Sequence, residues 1–235
     1  MLYLNNSAMN IGFYGHSAAS WMGDDRSFVD QIKKKYNANI VNIGVPQGSE
    51  ERILFDLKKT KAIDIAVIFH SIPKYIFIPK CNRDVSISTV PGTKAKYFWS
   101  ERSTQPISKS QFEQIFFSYS NIKEVFNTPE EYVDAMSYLK EYFYHPDLVI
   151  NRYQSAMLMI DNYLINKKIK CFHSIDPAQY PPWMTLQSGT VDFELSKLVT
   201  GGLPNNLSQV ENIYVARYLG KWIDSVIADQ EIKNV

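Results

Sequence analysis

Met9-Asn10-Ile11-Gly12-Phe13-Tyr14-Gly15-His16-Ser17-Ala18-Ala19-Ser20 is the stretch that decides the fold. Its apolar run stops at Gly15, a serine follows two positions later, and helix-start signals come soon after at Asp24 and Asp25. In an open α/β sheet such a turn lies at the carboxyl end of a strand, where ligands and reactive side chains gather. A serine there is presented to a cleft. An ordinary strand-to-helix turn, kept tight by small residues, uses the same residue types, so this stretch alone leaves both readings open.

Working outward, Ile11–Tyr14 reads as a buried strand, and Phe28, Val29, Ile32 and Tyr36 recur at helical spacing behind it. The helix is expected to start at Asp24 or Asp25, whose carboxylates can cap free amides. Lys33, Lys34 and Lys35 then form a solvated face with a favourable dipole contact. Asn39–Gly44 is a second strand, and Ser49 with Glu50 and Glu51 opens a second helix carrying Ile53, Leu54 and Leu57. Ile63–Phe69 is a third strand, apolar throughout its second half, as a parallel strand covered on both faces should be. This alternation predicts a parallel sheet with right-handed crossovers.

The rhythm stops at residue 72. Residues 72–127 are rich in Pro, Ser, Thr and aromatics, including Tyr75, Phe77, Tyr97, Phe98 and Trp99, with a short helix expected at Gln111–Phe117. A stretch this long without a period reads as an inserted cover over the sheet edge or as a satellite core. Thr128-Pro129 starts a helix that Pro146 ends, and a second runs from Asp147 to about Asn166. Lys168–His173 is a fourth strand, and Ser208 caps a final helix with Val210, Ile213, Ala216, Leu219 and Ile223 on one face. The expected fold class is α/β: one domain over residues 1–235, a three-layer α/β/α sandwich on a flavodoxin-like parallel sheet, with a long insertion after the third strand.

Composition narrows the function classes. A net charge of +1 gives no electrostatic case for nucleic acid or an anionic membrane as partner. No apolar run has the length of a membrane span. The start Met1-Leu2-Tyr3-Leu4-Asn5-Asn6 lacks the basic and apolar regions of a signal peptide. Cys81 and Cys171 fit neither a metal spacing nor a disulfide framework, so two reduced thiols and a cytoplasmic location are expected. The spacing shows no paired carboxylates of glycosidase type, metal-ligand cluster or phosphate-cradling glycine loop, so no cofactor and no metal are expected.

Four short blocks stand in a telling order: Gly15-His16-Ser17, Asn42-Ile43-Gly44-Val45-Pro46-Gln47-Gly48-Ser49, Phe69-His70-Ser71, and Asn206-Leu207-Ser208-Gln209-Val210-Glu211-Asn212. In that order they resemble the SGNH (GDSL-type) hydrolase superfamily, esterases and lipases on a flavodoxin-like sandwich. The resemblance covers about 70 N-terminal and about 25 C-terminal residues. The first half also resembles small proteins of that type from tailed phages. It implies Ser17 as nucleophile, with its own amide, a block-two glycine and a block-three asparagine as oxyanion donors. That glycine falls on Gln47 without a gap or on Gly48 with a slip of one residue, and Gly48 is preferred.

The chain departs from the pattern at three places. His16 stands where the family has Asp, and no Asn follows strand three, which leaves Ser71 as the neighbour of the third donor. Asn206 occupies the position of the catalytic His, with Leu203 at the accompanying Asp position. A serine hydroxyl is a weak nucleophile until a base accepts its proton, and an asparagine amide cannot do so. His70 and His173, both at expected carboxyl ends of strands, are the possible substitute bases, with Asp176, three residues after His173, as a possible orienting carboxylate. Each could equally be a polar strand-end residue. The resemblance implies a small-molecule or carbohydrate ester as substrate. The alternative is a catalytically inactive relative that binds a ligand or partner in the same cleft.

Overall fold

The computed structural model describes residues 8–15, 27–42, 44, 48–71, 75–78, 83–86, 128, 131, 134, 146–200 and 207–233. It has two compact units, one of Met1–Ser71 with Ala156–Val235 and one of Ile72–Ser155. In chain order the elements are β1 (Asn10–Gly15), α1 (Phe28–Tyr36), β2 (Asn39–Asn42), α2 (Glu50–Lys59), β3 (Ile65–Phe69), β4 (Tyr75–Ile78) and β5 (Arg83–Ser86). There follow α3 (Pro146–Lys167), β6 (Lys170–Ser174), a 3-10 turn at Pro177–Gln179, β7 (Gly189–Asp192), α4 (Glu194–Thr200) and α5 (Gln209–Lys233).

Five strands of the first unit form one all-parallel sheet in the order β2-β1-β3-β6-β7. That is the flavodoxin-like order, whose direction reverses between β1 and β3. The period of two along each strand sorts the core into two layers. Ile11 and Phe13, Ile65, Val67 and Phe69, and Phe172 pack with Phe28, Val29 and Ile32 of α1 and with Val215, Leu219 and Ile223 of α5. The intervening Tyr14, Ala66, Ile68 and Cys171 pack with Ile53, Leu54 and Leu57 of α2 and with Ile160 and Leu164 of α3. The expected α/β/α sandwich is therefore the observed one.

Polar contacts fix the helices against each other. The cap of α1 is Ser27, whose Oγ accepts the Asp30 amide at 3.0 Å. The expected caps Asp24 and Asp25 lie outside the described residues. The free amide of Phe28 donates to Asn212 Oδ1 at 3.0 Å, which ties the start of α1 to the start of α5. Ser208 and Glu211 form a reciprocal capping box on α5, amide to carboxylate at 2.6 Å and amide to hydroxyl at 3.2 Å. Lys33, Lys34 and Lys35 are all exposed, and Lys35 also bonds Asp224 of α5 at 2.8 Å. Tyr36 donates to the Gly220 carbonyl at 2.6 Å.

Four elements escape the sequence reading: β4, β5, β7 and α4. β7 is a short edge strand with no apolar run, paired with β6 where Gly189 lies against the Cys171 backbone. Asp192, at its end, accepts the Leu195 amide of α4 at 2.7 Å and the Tyr218 hydroxyl of α5 at 2.5 Å. That carboxylate holds the Tyr218 proton and pushes its pKa up to about 12. In the second unit, β4 and β5 pair antiparallel with Tyr75 opposite Ser86, so the segment after β3 contains a hairpin. The rest of 72–127, with Tyr97, Phe98, Trp99 and the helix expected at Gln111–Phe117, lies outside the described residues. Thr128 does act as a cap, its Oγ1 accepting the Glu131 amide at 3.2 Å.

Gly15 closes β1 with a φ of +114°, and a Cβ there would collide with the Phe69 carbonyl of β3. Left-handed backbone of this kind is open to glycine and strained for other residues. Gly15→Ala is expected to lower stability by at least about 2 kcal/mol in urea denaturation.

Candidate functional site

Two histidines meet at the carboxyl edge of the sheet. His70 follows β3 and His173 lies in β6, paired opposite Ile68. Continuing the alternation, both face the layer covered by α2 and α3. Their rings are nearly parallel, 18° apart with centroids at 5.2 Å, and His70 Nε2 meets His173 Nδ1 at 2.9 Å. Neither imidazole has exposed side-chain surface.

Each end of the pair has a partner. Glu50, in the first turn of α2, places Oε2 2.9 Å from His70 Nδ1 and accepts the Ser71 amide on Oε1 at 2.9 Å. A carboxylate there also sits at the positive end of the α2 dipole. At the other end, His173 Nε2 meets Ser188 Oγ at 2.8 Å. Asp161 of α3 accepts the amides of Gln187 and Ser188, at 2.9 Å and 2.8 Å, and its Oδ1 lies 4.0 Å from His173 Nε2. The result is a buried chain Glu50–His70–His173–Ser188 with Asp161 beside its end.

Electrostatics keep this chain from filling with charge. Burial, reinforced by the neighbouring His70, lowers the His173 pKa well below the usual histidine range. Burial and the nearby Asp161 push the Cys171 thiol well up. His173 is therefore neutral in the folded protein, with one ring nitrogen donating and the other accepting. An ionised Glu50 makes His70 Nδ1 a donor. The neutral chain then runs one way: Ser188 hydroxyl to His173 Nε2, His173 Nδ1–H to His70 Nε2, and His70 Nδ1–H to Glu50.

The structure distributes the expected site residues as follows. Gly48 is buried two residues before Glu50, and Ser71 is bonded to Glu50, so blocks two and three meet at the start of α2. The Ser71 amide is committed to that carboxylate. His70 and His173 come together, and both nitrogens of each ring are engaged within the chain. Ser17 and Asn206, with His16, lie outside the described residues. Ser188 resembles an activated serine, but its amide is bound to the Asp161 carboxylate, whose negative charge opposes an oxyanion at that place. Asp176 does not orient His173; it caps the 3-10 turn through the Ala178 amide at 2.9 Å. Among the described residues no group of three or more His, Cys, Asp or Glu could hold a metal ion, and no helix is long and apolar enough to cross a membrane.

No family model, curated protein or solved structure matches this chain. The geometry therefore stands by itself. Sequence reasoning missed the partners Glu50, Asp161 and Ser188. One signal was available: His70 and His173 both continue the inward parity of apolar strands, where a polar ring needs a partner from the covering helices.

A histidine held neutral when folded, but free to charge near pH 6.5 when unfolded, gives stability that is complete above that pH and is lost as pH falls. Between pH 7.5 and pH 5.5 the native protein is expected to lose about 1 kcal/mol more than His173→Gln, measured by urea denaturation.

Proposed function

We propose that the chain is an SGNH-type serine hydrolase for a carboxylic ester, such as an O-acyl group on a carbohydrate, with Ser17 as nucleophile and Asn206 in place of the usual base. The observation that carries this reading is the polarity of the sheet edge beside Gly15. The hydroxyls of Ser71, after β3, and Ser174, at the end of β6, are buried without a hydrogen-bond partner among the described residues. Buried hydroxyls are ordinarily paired, and an orphan pair points to an oxygen supplied by a ligand or water. By alternation both belong to the face opposite the histidine pair, the one that α1 and α5 cover.

The strand order supports the same place. Ligands in such sheets bind in the crevice beyond the strand ends where the order reverses, between β1 and β3. Ser17 follows the end of β1 by two residues, and block four opens α5, whose Asn212 is bonded to the start of α1. The reaction would be attack of the Ser17 hydroxyl on the ester carbonyl, with donors at the edge stabilising the oxyanion. As the sequence stands, proton removal lacks its usual acceptor. A second reading, ligand binding without turnover, is favoured by the engagement of all four imidazole nitrogens of His70 and His173.

Asn206→His is expected to raise hydrolysis of p-nitrophenyl acetate by about a hundred to ten thousandfold, the usual contribution of a positioned base. Adding Ser17→Ala should remove the gain. Absence of any Ser17-dependent hydrolysis across a panel of acyl esters would assign the cleft to binding instead.

A further inference from the structure

We propose that Glu50, His70, His173 and Ser188 form a one-proton switch, in which proton uptake at His70 reverses the direction of the hydrogen bonds beyond it and turns the Ser188 hydroxyl hydrogen away from His173. The chain is continuous at hydrogen-bond distance, 2.9, 2.9 and 2.8 Å, and the near-parallel rings meet edge to edge. With Glu50 ionised and His173 neutral, such a chain has two self-consistent arrangements. In the first, each hydrogen bond points toward Glu50, as described above.

In the second, His70 carries the added proton and keeps its Nδ1–H on the Glu50 carboxylate. Its Nε2–H now donates to His173 Nδ1, so His173 holds its own hydrogen on Nε2 and donates to Ser188 Oγ. The Ser188 hydroxyl hydrogen must then leave His173. One proton is gained: it ends on His173 Nε2 while the Nδ1 hydrogen of His173 passes to His70 Nε2, so His173 changes tautomer without changing charge. Among the described residues, the charged and titratable groups on this face of the sheet include Glu50 from α2, Asp161 from α3, the Cys171 thiol on β6 and the Tyr14 hydroxyl on β1. Two carboxylates at opposite ends and a thiol held protonated favour a single positive charge between them.

The consequence is mechanical as well as electrostatic. Glu50 also holds the Ser71 amide, and Asp161 also holds the Gln187 and Ser188 amides. Protonation at the β3 end is thereby passed through the side chains of β6 to the segment that precedes β7 and to α3. The switch does not depend on the ester hydrolase reading, because none of its groups belongs to the Ser17 reaction.

The test is long-range imidazole 1H–15N correlation on the 15N-labelled full chain, titrated downward from pH 8. The expected result is one shared midpoint at which His70 becomes doubly protonated and His173 stays neutral while its hydrogen moves from Nδ1 to Nε2. In Glu50→Gln the midpoint should fall by about 1 to 3 pH units, because the counter-charge is gone. A fixed His173 tautomer, separate midpoints for the two rings, or no proton uptake before unfolding would each overturn the switch. The wild-type spectra decide this even if the variant does not fold.

Discussion

Two imidazoles buried edge to edge present four ring nitrogens that water cannot reach, and every one must be answered from within the protein. An unanswered buried polar group costs about 1–3 kcal/mol, so this requirement constrains everything around the pair. It fixes Glu50 at the first turn of α2, Ser188 ahead of β7 and Asp161 on α3. It also holds the adjacent ends of β3 and β6 in register, where the His70 amide donates to the Ser174 carbonyl at 2.9 Å. On the α2–α3 side of the sheet edge all four imidazole nitrogens are accordingly paired.

The opposite side is built differently. There the apolar layer under α1 and α5 ends in Ser71 and Ser174, whose hydroxyls have no partner among the described residues. Gly15 turns the chain out of β1 beside them, in a conformation closed to larger residues. One edge of one sheet thus carries two polar regions with different chemistry, an internally satisfied chain and a pair of hydroxyls unpartnered among the described residues. The alternation of side chains along β3 and β6 separates them.

Much of this fold was legible because the first three strands are apolar and their helices carry clear caps. Ser49 and Ser208 act as caps as their sequence context indicates. α1 starts at Ser27 because its amides find Ser27 and the distant Asn212, a tertiary partner invisible to local spacing. β7 was hidden for a related reason: an edge strand half open to solvent needs no apolar run, and Gly189 breaks the pattern. The histidine chain shows the same limit. Parity placed His70 and His173 on one face, but Asp161 and Ser188 join them only through the packing of α3 and the segment before β7. Their participation is a property of the tertiary structure.

The central claim is that the buried chain acts as a unit from Glu50 to Ser188, two residues that do not touch in sequence or through a direct bond. A double-mutant cycle on Glu50→Gln and Ser188→Ala, read by urea denaturation at pH 7.5, measures that directly. Independent sites add to within about 0.5 kcal/mol, whereas members of one network couple by about 0.5–3 kcal/mol. The account predicts coupling above 0.5 kcal/mol, carried by the two imidazoles, on the same scale. Strict additivity would contradict it.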